Sequence, residues 1–188
     1  MMVLIDAARA GAIQGAVTQV ISNRPDAAGL DYARRHGIAS AVVDHRAFAS
    51  RALFEAALAE TIDRSEPDLV VLAGFMRILG DAFVQRYEGR MLNIHPSLLP
   101  AYPGTDTHRR ALDDRATRHG CTVHFVTADV DGGPIIAQAE VPVRPGDDPA
   151  TLAARVLVEE HRLLPKVVGW FCEGRIAVED GRARVVEA

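Results

Sequence analysis

The sequence has little cysteine, no long apolar run and no excess of positive charge, and each of these shortages excludes a class of protein. Cys121 and Cys172 have no partner in a close motif, which argues against a disulfide framework and against a zinc site. No apolar run reaches the length that is needed to cross a membrane. The formal net charge is −4, so the composition does not favour binding to nucleic acid or to a membrane surface.

The amino-acid content that is present favours one globular domain. The 188 residues are 48% hydrophobic, which is enough for one well-packed core and too little for two comfortable domains, so we predict a single domain over residues 1–188. Met1 to Asp6 lack the basic and long apolar segments of a signal peptide, which favours a cytoplasmic protein. The same residues resemble the middle of an uncapped helix, and we therefore expect that an upstream segment is missing.

Strand and helix patterns alternate along the chain, which predicts an α/β fold: a Rossmann-like three-layer domain with a mostly parallel sheet. Residues 69–73 are nearly all apolar, as in a strand that is buried on both faces. Residues 176–178 and 183–186 flank a turn and predict a C-terminal β-hairpin. The other main predicted strands cover residues 13–22, 38–43, 122–126 and 134–143, and the main predicted helices cover residues 27–35, 50–64, 80–87 and 149–164.

The stretch at residues 93–100, Asn-Ile-His-Pro-Ser-Leu-Leu-Pro, has the features of an active site. Asn93 and His95 are two residues apart on a short strand, so their side chains point from the same face. Pro96 then ends the strand, and ligands of open α/β sheets bind at the carboxyl ends of strands. Either residue alone would more often be structural, but together they favour a site in which Asn93 donates an N–H to an oxyanion. We also predict a cis peptide bond at Leu99–Pro100 in the tight turn that follows.

Asp131 precedes Gly132-Gly133-Pro134, and alone it would be an ordinary turn aspartate. The functional alternative is a carboxylate on a glycine-shaped loop that reaches His95 and favours its charged form. A charged imidazole of this kind could stabilise an oxyanion or act as a general acid.

The loop at residues 74–79, Gly-Phe-Met-Arg-Ile-Leu, follows a buried strand, and it is equally consistent with an ordinary loop and with the wall of a site for a flat heterocycle. Arg51 and Arg77 would most often be solvated surface charges. His119 and His124 are close in sequence but lie in a predicted turn and strand, so we predict no metal site there.

Several motifs occur in the order found in a known family: the 74–79 loop, the 93–100 stretch, Tyr-Pro-Gly with Thr-His, Val-His-Phe-Val, and Asp-Gly-Gly-Pro. From about Asp6 to the C-terminal hairpin, the sequence resembles the folate-dependent glycinamide ribonucleotide formyltransferases. The Asn-x-His-Pro motif with a downstream Asp is shared by the wider formyltransferase superfamily. The Tyr-Pro-Gly and Phe-Met-Arg-Ile-Leu motifs favour this family over the tRNA and sugar formyltransferases.

The resemblance implies a reaction and a set of site residues. The reaction is transfer of a formyl group from 10-formyltetrahydrofolate to the amine of glycinamide ribonucleotide in purine biosynthesis, through a tetrahedral intermediate and without a metal. By resemblance, Asn93 and protonated His95 would stabilise the oxyanion, and Asp131 would hold His95 charged. The implied folate contacts are Arg51, Met76, Arg77, Ile78, Leu79, Val84, Asn93, Thr127, Ala128, Asp129, Val130 and Asp131. Glu160, which precedes His161, would bind glycinamide ribonucleotide. The implied partners are small molecules, and the protein would be a monomer or a homodimer.

The start of the sequence departs from the family pattern. The family begins with a strand and a Gly-x-Gly-Ser-Asn loop that holds the substrate phosphate at a helix N-terminus. We expect both to be missing here, and Asp106 and Leu157 are smaller departures. Three hypotheses stay open: an enzyme whose start is missing, a truncated formyl-folate hydrolase or another formyltransferase, and a non-catalytic folate-binding or scaffold protein.

Overall fold

The computed structural model describes residues 1–187 and has the α/β architecture that the sequence predicts. The helices are α1 (Met2–Arg9), α2 (Ala28–Arg35), α3 (Arg51–Asp63), α4 (Asp81–Arg86), α5 (Thr107–Asp113) and α6 (Pro149–Cys172), with a short 3₁₀ turn at His45–Ala47. The strands are β1 (Gln19–Ser22), β2 (Ala39–Val42), β3 (Val70–Leu72), β4 (Met91–His95), β5 (Arg118–Phe125), β6 (Ile135–Pro142), β7 (Ile176–Glu179) and β8 (Arg182–Val185).

Helix α6 begins where the sequence predicts but continues eight residues beyond the predicted end at residue 164, to Cys172. The carboxylate of Asp148 caps its first turn by accepting the N–H of Thr151 at 2.7 Å. The predicted end lies directly before Pro165, and proline removes a backbone donor and disfavours a helix interior. Here the apolar residues on both sides of Pro165 are buried against the sheet, and this packing outweighs the local cost.

The strands form both parallel and antiparallel pairs. Strands β1 and β2 are parallel, and so are β3 and β4. Strands β5 and β6 extend the second pair in antiparallel fashion, and β7 and β8 form the predicted C-terminal hairpin. Within residues 1–187, no hydrogen-bonded ladder joins the β1–β2 pair to the four-stranded sheet β3–β4–β5–β6.

Alternation along β4 shows that helices cover both faces of the sheet. Met91 packs with residues of α3 and α4, whereas the next residue, Leu92, packs with residues of α1 and α6. On β1, Val20 packs against α1 and α2. These contacts give the predicted three layers, with α1, α2 and α6 on one face and α3 and α4 on the other.

Two details of the strand predictions are wrong. Residues 13–18 lie outside β1, and Ile13 is buried from an irregular segment, so its apolar character reflects burial rather than strand pairing. The three residues of β3 are partly buried rather than fully buried. Their side chains pack on both faces, but among the described residues β3 has a strand partner on only one edge.

The turn after β4 contains the predicted cis peptide bond at Leu99–Pro100. A buried hydroxyl holds this turn: Thr122 Oγ1 accepts the N–H of Leu99 at 3.1 Å and donates to the carbonyl of Ser97 at 2.7 Å.

In the described part of the chain, no helix is long and apolar enough to cross a membrane.

Candidate active site

Asn93 and His95 lie at the carboxyl end of β4 and point from the face that is opposite to Leu92, as the sequence predicts. In the antiparallel ladder with β5, Asn93 is paired with His124 and His95 is paired with Thr122. Directly paired residues of an antiparallel sheet share a face. The register therefore adds His124 to the site, although the local sequence pattern gave this residue no catalytic role.

The contacts of His124 orient the amide of Asn93. Nδ1 of His124 lies 2.8 Å from the carbonyl oxygen of Phe125, which can only accept, so Nδ1 carries the proton. Nε2 is then the acceptor for the Asn93 side-chain N–H at 3.2 Å. Burial lowers the pKa of His124, which agrees with this neutral form. The second N–H of the Asn93 amide stays available to another acceptor.

His95 is held between two acceptors. Its Nε2 lies 2.9 Å from the carbonyl oxygen of Tyr102, so Nε2 donates. Its Nδ1 lies 3.4 Å from a carboxylate oxygen of Asp131. Each ring nitrogen of His95 therefore has an oxygen acceptor within 3.4 Å.

Asp131 is brought to His95 by a loop of unusual backbone shape. Its φ is 54°, in the left-handed region, and its Oδ2 accepts the N–H of Gly104 at 2.8 Å. Gly133 permits this path because a Cβ at that position would lie 1.9 Å from the carbonyl oxygen of Phe125 on β5. The other carboxylate oxygen of Asp131 lies 3.6 Å from Nε2 of His124. The structure thus joins the two separated motifs in one buried group of side chains.

Two further histidines lie behind this group. Nε2 of His119 lies 3.1 Å from Nδ1 of His108, and within residues 1–187 Nδ1 of His119 is buried without a hydrogen-bond partner. Burial, with a smaller contribution from His108 and His95, lowers the pKa of His119 to about 4. The pKa of His108 is also lowered, mainly by burial. Both rings are therefore neutral near pH 7, and a positive charge at His95 has no charged histidine beside it.

The predicted folate contacts near α3 fall into two groups. Met76 and Ile78 are 75% and 64% exposed, although both are large and apolar. Leu79 and Val84 are buried in the core between α3, α4 and the sheet. The two arginines differ as well: Arg51 begins α3, and the guanidinium of Arg77 lies over the ring of Phe54 at 5.7 Å from its centre.

The predicted loop before Asp131 is mostly exposed. Ala128, Asp129 and Val130 are exposed, and Thr127 donates its hydroxyl to the carbonyl of Asp129 at 3.3 Å. This loop connects β5 to the turn that carries Asp131.

Glu160 lies apart from the other predicted residues. It is partly buried on α6, and burial raises the pKa of its carboxyl group. It also contributes, after burial, to raising the pKa of the Cys121 thiol to about 12, which places it near β5 on the α6 side of the sheet. Among the described residues it forms no hydrogen bond or ion pair with Asn93, His95 or Asp131.

Comparison with known proteins agrees with this arrangement of motifs. Residues 1–168 match the family described as formyl transferase. The chain is 50% identical over 183 residues to phosphoribosylglycinamide formyltransferase of Escherichia coli (strain K12), covering 97% of this chain and 86% of the relative. The crystal structure of glycinamide ribonucleotide transformylase 1 from Symbiobacterium toebii superposes with a TM-score of 0.96 at 48% identity, covering 99% of this chain and 88% of that one. Phosphoribosylglycinamide formyltransferase from Coxiella burnetii gives a TM-score of 0.92 at 47% identity, covering 98% and 86% of the two chains. The chain therefore belongs to the formyl transferase family.

Proposed function

We propose that this protein transfers a formyl group from 10-formyltetrahydrofolate to the primary amine of glycinamide ribonucleotide. The observation that carries the proposal is the meeting of Asn93, His95 and Asp131 at the end of β4. An amide donor and an imidazole backed by a carboxylate form a suitable environment for negative charge on a carbonyl oxygen. The relatives whose names specify this reaction are similar over nearly the whole chain, which supports the choice of substrates.

The donor-binding surface is proposed to be the 74–79 loop with its neighbours. Exposed Met76 and Ile78 offer apolar contact to the flat pterin ring, and Leu79 and Val84 support them from the core. Arg51 and Arg77 are proposed to meet the charged end of the folate. The loop of Thr127, Ala128, Asp129 and Val130, whose last three residues are exposed, is proposed to close over the ring while Asp131 keeps its contact with His95.

The donor supplies an electrophilic formyl carbon. The amine nitrogen of the acceptor forms a bond to this carbon, and the bond from the carbon to N10 of the folate breaks. The free N–H of Asn93 and the charged ring of His95 stabilise the negative charge on the formyl oxygen between these steps. In the structure, the carbonyl oxygen of Tyr102 accepts the Nε2–H of His95. When the donor binds, its formyl oxygen takes the place of the Tyr102 carbonyl as the acceptor of this N–H. The amine loses a proton and N10 gains one, and the His95–Asp131 pair is placed to move it.

The acceptor site is proposed from fewer contacts. Glu160 is the candidate for binding glycinamide ribonucleotide, because a partly buried carboxylate can accept hydrogen bonds from ribose hydroxyls or from the amine. Both proposed partners are small molecules, and a reaction of purine biosynthesis would place the protein in the cytoplasm.

A formyl-transfer assay with alternative acceptors tests the proposal. Purified protein is incubated with 10-formyltetrahydrofolate and with glycinamide ribonucleotide, a simple amine or water alone, and both products are measured. We expect tetrahydrofolate and formylated ribonucleotide in equal amounts, and only with the ribonucleotide. Release of formate without an acceptor would assign a hydrolase instead. Folate binding without turnover would assign a binding or scaffold protein.

A further inference from the structure

Glu55 is a buried carboxylate to which the proposed chemistry gives no task. It lies in the second turn of α3, and its side chain is 11% exposed. Glu60 on the same helix is 70% exposed and pairs with Arg64 in solvent. Withdrawing a carboxylate from water is unfavourable unless good partners replace the water. The partners of Glu55 therefore indicate its role.

The first partner is the backbone of the donor loop. Oε1 of Glu55 accepts the N–H of Gly80 at 2.8 Å, and this bond is buried. Gly80 is the residue at which the 74–79 loop ends and α4 begins. A hydrogen bond to a charged acceptor is stronger than one between neutral groups, so the Glu55 carboxylate holds the end of this loop firmly to α3.

The second partner is Arg51, one helical turn before Glu55. Its Nε lies 3.6 Å from the same Oε1. Both side chains also lie against Gly80: a Cβ added there would be 2.9 Å from Oε2 of Glu55 and 3.4 Å from Nη2 of Arg51. The predicted folate-facing arginine, the carboxylate and the loop end thus form a single contact group.

Two more contacts hold the loop to the same helix. The Arg77 guanidinium lies over the ring of Phe54, the neighbour of Glu55 on α3. Leu79 is buried in the cluster that contains Phe54 and Leu58. Exposed Met76 and Ile78 therefore belong to a segment whose second half is anchored on α3 and whose end is fixed by Glu55.

We propose that Glu55 is a positioning residue that fixes the 74–80 segment and Arg51 for binding of the formyl donor. The proposal rests on the donor-binding role of this loop in the proposed function. A loop that is already held in its ligand-bound conformation loses less conformational entropy when the ligand binds. The affinity of the protein for the formyl donor is therefore higher. Glu55 acts on donor binding through Gly80 and Arg51, and it leaves the chemistry at His95 unchanged.

Steady-state kinetics of two Glu55 variants test this role. Glu55→Ala removes both contacts, and we expect KM for 10-formyltetrahydrofolate to rise about tenfold, the loss of one charged hydrogen bond. We expect kcat and KM for glycinamide ribonucleotide to stay within about twofold. Glu55→Gln keeps an oxygen for the Gly80 N–H and loses the charge beside Arg51, so its donor KM should lie between those of the wild type and Glu55→Ala. Glu60→Ala, on the same helix, is the matched control and should match the wild type.

Hydrogen exchange of the free enzyme separates positioning from a general loss of stability. In Glu55→Ala we expect faster exchange in the 74–80 segment and unchanged exchange in β4 and β5. Equal increases of both KM values, or a donor KM equal to that of the wild type, would overturn the positioning role. If Glu55→Ala does not fold, the same comparison is made on Glu55→Gln.

A variant of the donor surface tests the proposed donor site separately from the role of Glu55. If Ile78→Ser raises the donor KM and the Glu55 variants do not, the inference about Glu55 is wrong and the proposed function stands. If Ile78→Ser also leaves the donor KM unchanged, the loop is not the donor site, and both the assignment of this loop and the inference built on it are wrong.

Discussion

His95 and Ile78 lie in two parts of the proposed site that the chain holds in different ways. His95 is 5% exposed at the end of a strand with a partner on each side, and both of its ring nitrogens have acceptors. Ile78 is 64% exposed on a loop that is held from one side by α3. The first region has fixed polar groups and little exposure to solvent, whereas the second region presents an apolar surface to solvent.

The difference follows from what each region has to do. Stabilising charge that develops during a reaction requires donors that are already in place, and a buried strand end provides them. Binding a flat ring requires accessible apolar area, and an exposed loop provides that. If this division is right, substitutions in the buried region change kcat, and substitutions in the loop change the KM of the donor.

The largest effect is expected for His95→Ala. Loss of the charged ring should lower kcat by roughly 10²–10⁴, the usual range for such a catalytic group, with little change in the affinity for the donor. Steady-state formyl transfer measures the first quantity, and calorimetry with a 10-formyl folate analogue measures the second. His36→Ala, at the histidine that directly follows α2, serves as the control. A kcat equal to that of the wild type would remove His95 from the chemistry.

A smaller loss is expected for Asp131→Asn. Asparagine tolerates the left-handed backbone of this position and retains an oxygen for the N–H of Gly104, so the loop should keep its shape. The variant loses the negative charge beside His95, and we expect kcat for steady-state formyl transfer to fall by about 10². A kcat equal to that of the wild type would mean that the charge of Asp131 does not contribute to the reaction.

The sequence was sufficient for the parts of the site that depend on local pattern. Asn93 and His95 are predictable as a pair because side chains two residues apart on a strand share a face. The approach of Asp131 to His95 was a hypothesis at that level. It depends on the left-handed backbone at Asp131 and on the close passage of Gly133 past Phe125, which no spacing reports.

Residues that act across elements were not predictable. His124 joins Asn93 through the antiparallel register of β4 and β5, and Glu55 joins Gly80 through the packing of α3 against α4. The predicted strand at residues 13–22 is wrong over residues 13–18 for a related reason, because apolar residues that enter a core from irregular backbone resemble a strand. In each case, tertiary contacts decide what the local pattern leaves open.

A change confined to the exposed surface should affect only binding. Ile78→Ser removes apolar area that would contact the pterin, and we expect the donor KM to rise by roughly 3–10-fold with kcat unchanged. Val178→Ser, which alters another exposed apolar side chain on the C-terminal hairpin, is the matched control. A parallel fall in kcat would show that the two regions are not independent.

The smallest effect on activity, and a clear one on stability, is expected at His119. Its pKa is lowered to about 4 in the folded state, so the unfolded chain binds a proton at higher pH than the folded chain does. The corresponding stability is fully present above about pH 6.5 and is lost as the pH falls towards 4, with a total of about 3 kcal/mol. The free energy of unfolding, measured with urea between pH 4 and pH 6.5, should depend less on pH in His119→Asn than in the wild type. Equal slopes would contradict the assignment to this side chain.

The most direct test of the division between chemistry and binding is a single-turnover measurement with saturating donor and acceptor. With both ligands bound, the rate of formyl transfer reports only the buried region. We predict that His95→Ala slows this step by roughly 10²–10⁴ and that Ile78→Ser leaves it at the wild-type rate. A wild-type rate in His95→Ala, or an equal slowing in Ile78→Ser, would contradict the account.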